Sequence, residues 1–229
     1  MSPVRRRSGF TLIELAVVLA IFGLLLGILV VPLSTQVDQN RMAETERQLA
    51  AVREALIGFA IANGRLPCPA NPATPTGTAG AGTEQRTPPT CTGLVPEGVL
   101  PWVTLGVPET DAWGRRFTYR VTVSFADDPA AGTQASFLIT DAGNITVTDG
   151  AVNVATGLPA IVVSHGKNGL GAFRSDGVQI GGAAGAELAN ANNNTSFVSR
   201  GHAPDFDDLV VWVSPNILKS RMVAANRLP

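Results

Sequence analysis

The sequence predicts an α+β protein: one long N-terminal helix, followed by an antiparallel β-sheet packed on that helix's second half. Three observations predict it. An apolar run from Phe10 to Leu33 passes directly into a stretch with helical spacing. Beyond residue 116 the apolar positions switch to a period of two. Gly 24 and Pro 16 among 229 residues require many turns and short strands. The same composition excludes other classes. Lys+Arg 17 against Asp+Glu 18 leaves a net charge of −1, so there is no basic field for nucleic acid. Hydrophobic residues at 45% and charged residues at 15% exclude a disordered solvating chain. Two cysteines are too few for a cysteine-ligated zinc or iron–sulfur cluster, and two histidines leave little material for a histidine metal site.

The first element is FTLIELAVVLAIFGLLLGILVVPL, Phe10 to Leu33, 24 residues with Glu14 as its single charge. A bilayer core needs ~20 apolar residues in a helix, so this run is long enough to span. Arg5, Arg6 and Arg7 precede it and are expected on the cytoplasmic side, with the bulk of the chain outside. A secretory signal has a shorter apolar stretch, ~7–15 residues, and a small-x-small cleavage site. Val30-Val31-Pro32-Leu33-Ser34 offers none. A plain signal anchor leaves Glu14 unexplained, because an acid near the centre of a membrane helix costs roughly 2.5–3.5 kcal/mol. Glu14 lies near one end, where a cation at its depth would offset the charge. A cut between Gly9 and Phe10 would free an α-amino group, and a neighbouring subunit displaced along a shared axis would bring it alongside.

The run Ser8-Gly9-Phe10-Thr11-Leu12-Ile13-Glu14-Leu15 resembles the class III leader and mature start of type IV pilins and type II secretion pseudopilins. The resemblance implies a pilin-like fold and cleavage after Gly9 by prepilin peptidase. It also implies N-methylation of Phe10, and a Glu14 that steers docking during filament assembly. The implied partners are the peptidase, other pilin or pseudopilin subunits and an inner-membrane assembly platform. The implied location is the inner membrane in a single pass, with the C-terminal domain periplasmic and later part of a filament. Residues 1–9 are then the leader, 10–33 the membrane and assembly helix, 34–64 its amphipathic second half and 65–229 a β-rich globular domain. Loss of the leader lowers Lys+Arg from 17 to 14 against 18 acids, which speaks against nucleic acid as a partner. The family's helix-kinking proline falls close to Pro32.

From Thr35 to Asn63 an apolar stripe of Met42, Leu49, Val52, Leu56 and Phe59 is spaced for one helical face, and is expected to pack on the sheet. Gly64 and Pro67 end the helix. Unbroken from Phe10 to Asn63, it would be about 81 Å long. The Pro/Thr/Ala/Gly-rich segment from Pro67 to Pro101 holds too little to bury and is expected to be irregular. Cys68 and Cys91 bracket it; outside the cytoplasm they are expected to form a disulfide, contributing roughly 3 kcal/mol in the chain-entropy model. The loop they close is a candidate partner surface.

Phe117 to Phe125 alternates as a half-buried antiparallel strand. Ser136–Thr140 and Asn144–Thr148 suggest a hairpin around Asp141-Ala142-Gly143. Ala160–Val163 and Leu209–Val213 read as buried strands, Gly181–Ser199 as an exposed loop, and Asn216–Asn226 as a short helix. The turn Asp111-Ala112-Trp113-Gly114 is similar to that of the major type II pseudopilin. Ser164 to Gly169, with Asp207-Asp208 ahead of Trp212, is similar to that family's calcium loop. Here Asn168 replaces the expected acid, and an insertion from Gly171 to Arg200 separates the halves. Asp205, Asp207 and Asp208 remain as oxygen donors for calcium, against the alternative of a solvated turn.

No G-x-S-x-G elbow, H-E-x-x-H helix or phosphate-binding glycine loop occurs, so the chain is not expected to be an enzyme. Adjacent Ser164 and His165 point to opposite faces of a strand and make a poor triad with Asp205 or Asp207. The reading is a structural subunit of an inner-membrane-anchored periplasmic filament, serving a type II secretion or a type IV pilus machine. The alternative is a membrane-anchored extracytoplasmic binding module that never polymerises.

Overall fold

The computed structural model describes residues 9–91 and 97–228, with backbone alone over 25–34. The Arg5–Arg7 cluster and the side chain of Pro32 lie outside the described residues. The chain divides into two units, Met1–Arg41 and Met42–Pro229. Helix α1 runs without a break through Leu12–Asn63. In the first unit its apolar side chains from Leu12 to Leu24 are exposed. Among the described residues no helix is long and apolar enough to cross a membrane; the described side chains of the apolar run end at Leu24.

The second unit is a helix laid on a sheet, with a second sheet behind. Strands β3 (Glu97–Val99), β4 (Thr118–Val121), β7 (Ala160–Ser164) and β9 (Leu209–Val213) form an antiparallel four-stranded sheet in the order β3-β4-β7-β9. One face packs on α1: Leu49, Val52, Leu56, Ile57 and Ala60 meet Tyr119, Val121, Ala160, Val162 and Val213 in one core. The C-terminal helix α4 (Pro215–Ala224) adds Leu218 and Met222 to that core. The other face carries Ile161 and Val163, which pack against Ile145, Val147, Leu158 and Phe197. Those residues belong to a three-stranded sheet of β6 (Asn153–Leu158), β5 (Ile145–Thr148) and β8 (Ser196–Val198), with β5 and β8 parallel. The α+β arrangement and its helix-on-sheet packing are as the sequence predicts.

Covering both faces corrects several local readings. The Phe117–Phe125 segment is a strand only over Thr118–Val121, where every residue is buried, and it turns into a 3₁₀ helix at Val123–Phe125. Alternation there separates two buried faces instead of core from solvent. Ser136–Thr140 is not a strand; β5 forms its hairpin forward, with β6. The stretch from Gly181 to Ser199 contains a helical turn, α3 (Gly185–Ala189), and β8, with Asn190, Phe197 and Val198 buried. The segment from Pro67 to Pro101 holds the short pair β1 (Arg86–Thr87) and β2 (Thr90–Cys91), strand β3, and Ala70 bridged to Val99.

The end of α1 is closed by distant chain. Gly64 adopts φ +73° directly after the helix, and a Cβ there would lie 2.2 Å from the Gln134 carbonyl oxygen, so only glycine fits. Arg227 donates from Nε to the Ile61 carbonyl at 2.8 Å and from Nη2 to the Ala62 carbonyl at 2.7 Å. A cation on the last-turn carbonyls also suits the helix dipole. Arg227→Ala is expected to lower unfolding free energy by ~1–2 kcal/mol. Chemical denaturation checks it, and an unchanged midpoint would show that water serves those carbonyls equally well.

Candidate functional site

At the N-terminus Phe10 is 84% exposed. Thr11 precedes the first helical residue, and its hydroxyl and main-chain N–H both reach Glu14 Oε2 at 3.0 Å. Gly9 and Phe10, the expected cleavage and methylation pair, have no regular secondary structure and lie ahead of the helix.

Cys68 and Cys91 form a disulfide across 23 positions of sequence. Its foot is charged. Arg65 makes two 2.8 Å hydrogen bonds to the Glu84 carboxylate, which also accepts the Cys68 N–H at 3.0 Å. Burial pushes the Glu84 carboxyl up, but the Arg65 bonds and the Cys68 N–H outweigh it, and the group ends below its ordinary value of 4.5. A depressed acid contributes stability that is present above its unfolded pKa and lost as pH falls through the folded one. Glu97 has the opposite sign. Burial raises its carboxyl despite Arg120 alongside, so its contribution is lost as pH rises above 4.5. Glu84→Gln is therefore expected to flatten the loss of stability on acidification below about pH 4.5. Thermal midpoints along a pH series would show it, and an unaltered slope would rule it out.

Three acids converge where β7 ends. Gly166, at φ +55°, lies so close to the Asp207 backbone that a Cβ would come within 2.2 Å of its carbonyl oxygen, which seats the turn after Ser164 against residues 205–208. One oxygen from each of Glu187, Asp207 and Asp208 lies within 4.8 Å of the others. Asn168 donates from Nδ2 to Glu187 Oε1 at 2.7 Å and from its N–H to Asp207 Oδ2 at 2.8 Å. Asn190 donates to Asp208 Oδ2 at 2.8 Å. These donors are neutral. Among the described residues Asp207 Oδ1, Asp208 Oδ1 and His165 Nδ1 are buried without a hydrogen-bond partner. His165 Nδ1 stands 3.7 Å from Asp208 Oδ1, beyond hydrogen-bond reach. Three crowded carboxylates with two orphaned buried oxygens are costly unless a cation joins them. The all-oxygen donor set fits a hard divalent ion such as calcium, held by Glu187, Asp207 and Asp208.

Asp205 does not join them; it is exposed and pairs with Arg200 at 2.7 Å, which holds its carboxyl below the ordinary value. Glu187 takes its place, from within the insertion. The available signal was its isolation: Glu187 is the single charged residue between Asp176 and Arg200. Ser164 and His165 turn apart, Ser164 Oγ donating to Asp111 Oδ2 at 2.7 Å and His165 Nε2 sitting 2.8 Å from Thr118 Oγ1. Asp111 also accepts the Trp113 and Arg115 N–H groups, and Ala112 N–H donates to Thr45 of α1, which docks the Asp111–Gly114 turn on the helix.

Among known protein families, the model of the prokaryotic N-terminal methylation motif matches residues 4–30. No curated protein and no solved structure matches the chain. The basic leader, Gly9-Phe10 and the Thr11-to-Glu14 start of an apolar helix are the features that this motif unites, and they are what the chain shares with type IV pilin and pseudopilin precursors.

Proposed function

We propose that this chain is a structural subunit of a filament assembled from the bacterial inner membrane, a pilin or pseudopilin. The observation that carries the reading is the first part of α1. Ten large apolar side chains from Phe10 to Leu24 are between 44% and 89% exposed in the single chain. So much contiguous apolar surface demands a cover. Before assembly the cover is lipid, with residues 10–33 held in the bilayer. After assembly it is the same segment of neighbouring copies.

Prepilin peptidase cuts after Gly9, the Phe10 amine is methylated, and Glu14 meets the amine of a neighbour at the assembly platform. The globular unit is displayed in the periplasm, where its disulfide is stable. The acidic cluster binds calcium and ties the insertion to the loop before β9. That cluster, with the Asp111–Gly114 turn, favours a type II secretion pseudopilin over a type IV pilin.

Intact-mass and N-terminal analysis from host membranes tests the reading, with and without active prepilin peptidase. A chain starting at methylated Phe10 only when the peptidase is active is the expected result. Retention of Met1–Gly9 in both would overturn it and leave an anchored, non-polymerising binding module.

A further inference from the structure

The insertion from Gly171 to Arg200 folds over the face of the four-stranded sheet that is turned away from α1. On that face Thr118 and Arg120 of β4 stand opposite Val163 and Ile161, whose side chains pack on the second sheet. Glu97 of β3 stands opposite Arg120. A cavity of about 210 Å³ opens there. Glu97 and Thr118 form its floor, and Phe173, Gln179, Ala191 and Asn193, all from the insertion, form its walls. The wall is fixed by main-chain bonds: Phe173 bridges to Arg116 on one side and to Gln179 on the other. The Gly171 N–H donates to the Ile180 carbonyl at 2.7 Å, and the Ile180 N–H to the Ala172 carbonyl at 2.8 Å. At roughly 30 Å³ per water the space equals about seven waters, the scale of one six-membered ring with its hydroxyls.

The polar groups around it are paired in charge but not in hydrogen bonds. Arg120 donates from Nη1 to Asn193 Oδ1 at 2.9 Å and lies 3.4 Å from Glu97 Oε2. The two charged side chains are 7% and 9% exposed, and they cancel. Among the described residues Arg120 Nε is buried without a partner, and Asn193 Nδ2 donates to no protein group. Gln179 donates from Nε2 to the Gly171 carbonyl at 2.9 Å, which leaves its Oε1 to accept. Asn193 adopts φ +56°, a left-handed conformation that asparagine tolerates better than other side chains.

Donors and acceptors left over side by side, in a cavity without net charge, select ligand groups that donate and accept at once. Hydroxyls do both. An anion would face the Glu97 carboxylate and a cation the Arg120 guanidinium, each giving up water for a repulsive neighbour. Phe173 adds an aromatic surface for the C–H face of a ring.

We propose that the insertion builds a binding site for one neutral sugar residue, hydrogen-bonded by Glu97, Gln179 and Asn193 beside Phe173. The site is separate from the cation cluster, and it does not depend on whether the chain polymerises.

Saturation-transfer difference NMR tests it on the full chain, solubilised in a detergent without a sugar headgroup. The probes are glucose, galactose, mannose and N-acetylglucosamine with their methyl glycosides, and glucuronate and glucosamine as charged counterparts. At least one neutral sugar is expected to bind saturably with a dissociation constant on the order of 1 mM, the scale for a ligand of this size. Tolerance of the methyl group would mark the terminal residue of a glycan, and its rejection a free sugar; both fit the site. Gln179→Leu removes an amide at nearly constant size, and Asn193→Gly removes the other while keeping the left-handed backbone accessible. Each should weaken binding at least tenfold at an unchanged thermal midpoint, and Gln179→Leu decides alone if Asn193→Gly shifts that midpoint. No saturable transfer to any neutral sugar, tighter binding of a charged counterpart, or wild-type affinity in Gln179→Leu would each overturn the proposal.

Discussion

Arg116→Ala is expected to lower the unfolding free energy of the globular unit by about 3–5 kcal/mol, the cost of breaking a buried ion pair. Arg116 is fully buried. Its Nε donates to Glu109 at 2.9 Å, Nη1 to the Pro72 carbonyl at 3.0 Å, and Nη2 to Thr76 Oγ1 and the Ser175 carbonyl at 3.1 Å each. The guanidinium also lies 4.8 Å from the centre of the Trp102 ring. One side chain thus satisfies acceptors from three stretches of chain that share no regular structure. Truncation leaves the Glu109 carboxylate without its cation and the Pro72 carbonyl without this donor. Arg116→Lys should recover only part of the loss, because an ammonium cannot reproduce the planar fork. Denaturant unfolding with m-values compared would measure both. A loss under about 1 kcal/mol for Arg116→Ala would show that water replaces the network.

Calcium about a hundredfold above its dissociation constant is expected to add ~2.7 kcal/mol to the same unit. For a domain of this size that raises the thermal midpoint by roughly 5–10 °C, and a chelator should reverse it. Glu187→Gln or Asp207→Asn should abolish the shift. Asp205→Asn should leave it intact, since that carboxylate is engaged by Arg200 outside the cluster. Magnesium should act more weakly, because its strict octahedral shell keeps its waters. Differential scanning calorimetry of the detergent-solubilised full chain would decide it. An identical midpoint with calcium and with chelator would sink the cation reading.

These two sites differ in how much of them the sequence carries. Asp207 and Asp208 stand together ahead of an apolar strand and are visible as a pair. Their partner Glu187 lies 20 positions earlier, in a stretch whose Gly, Ala and Asn content reads as loop. It reaches them because α3 and β8 fold that stretch back beside β5. Arg116 carries no local sign of burial. An arginine flanking a strand is ordinarily solvated, and only the return of residues 72–76 and 173–175 encloses it.

Legible in the order of residues alone were the prepilin start, the α+β class, the helical stripe from Leu49 to Leu56, the strands at 160–163 and 209–213 and the partners of the disulfide. Each of these rests on a local rule: an apolar length, a period of 3.6 or 2, or two cysteines with no other choice. The tertiary structure decided what local rules do not reach. It placed a second sheet behind the first, so that Thr118–Val121 is buried on both faces. It paired β5 forward with β6, brought Glu187 to Asp207 and Asp208, and laid Arg227 on the last turn of a helix more than 160 residues earlier. The physical reason is that periodicity records which face of an element is covered, whereas the identity of the cover depends on contacts between segments far apart in the chain, which only the packed fold brings together.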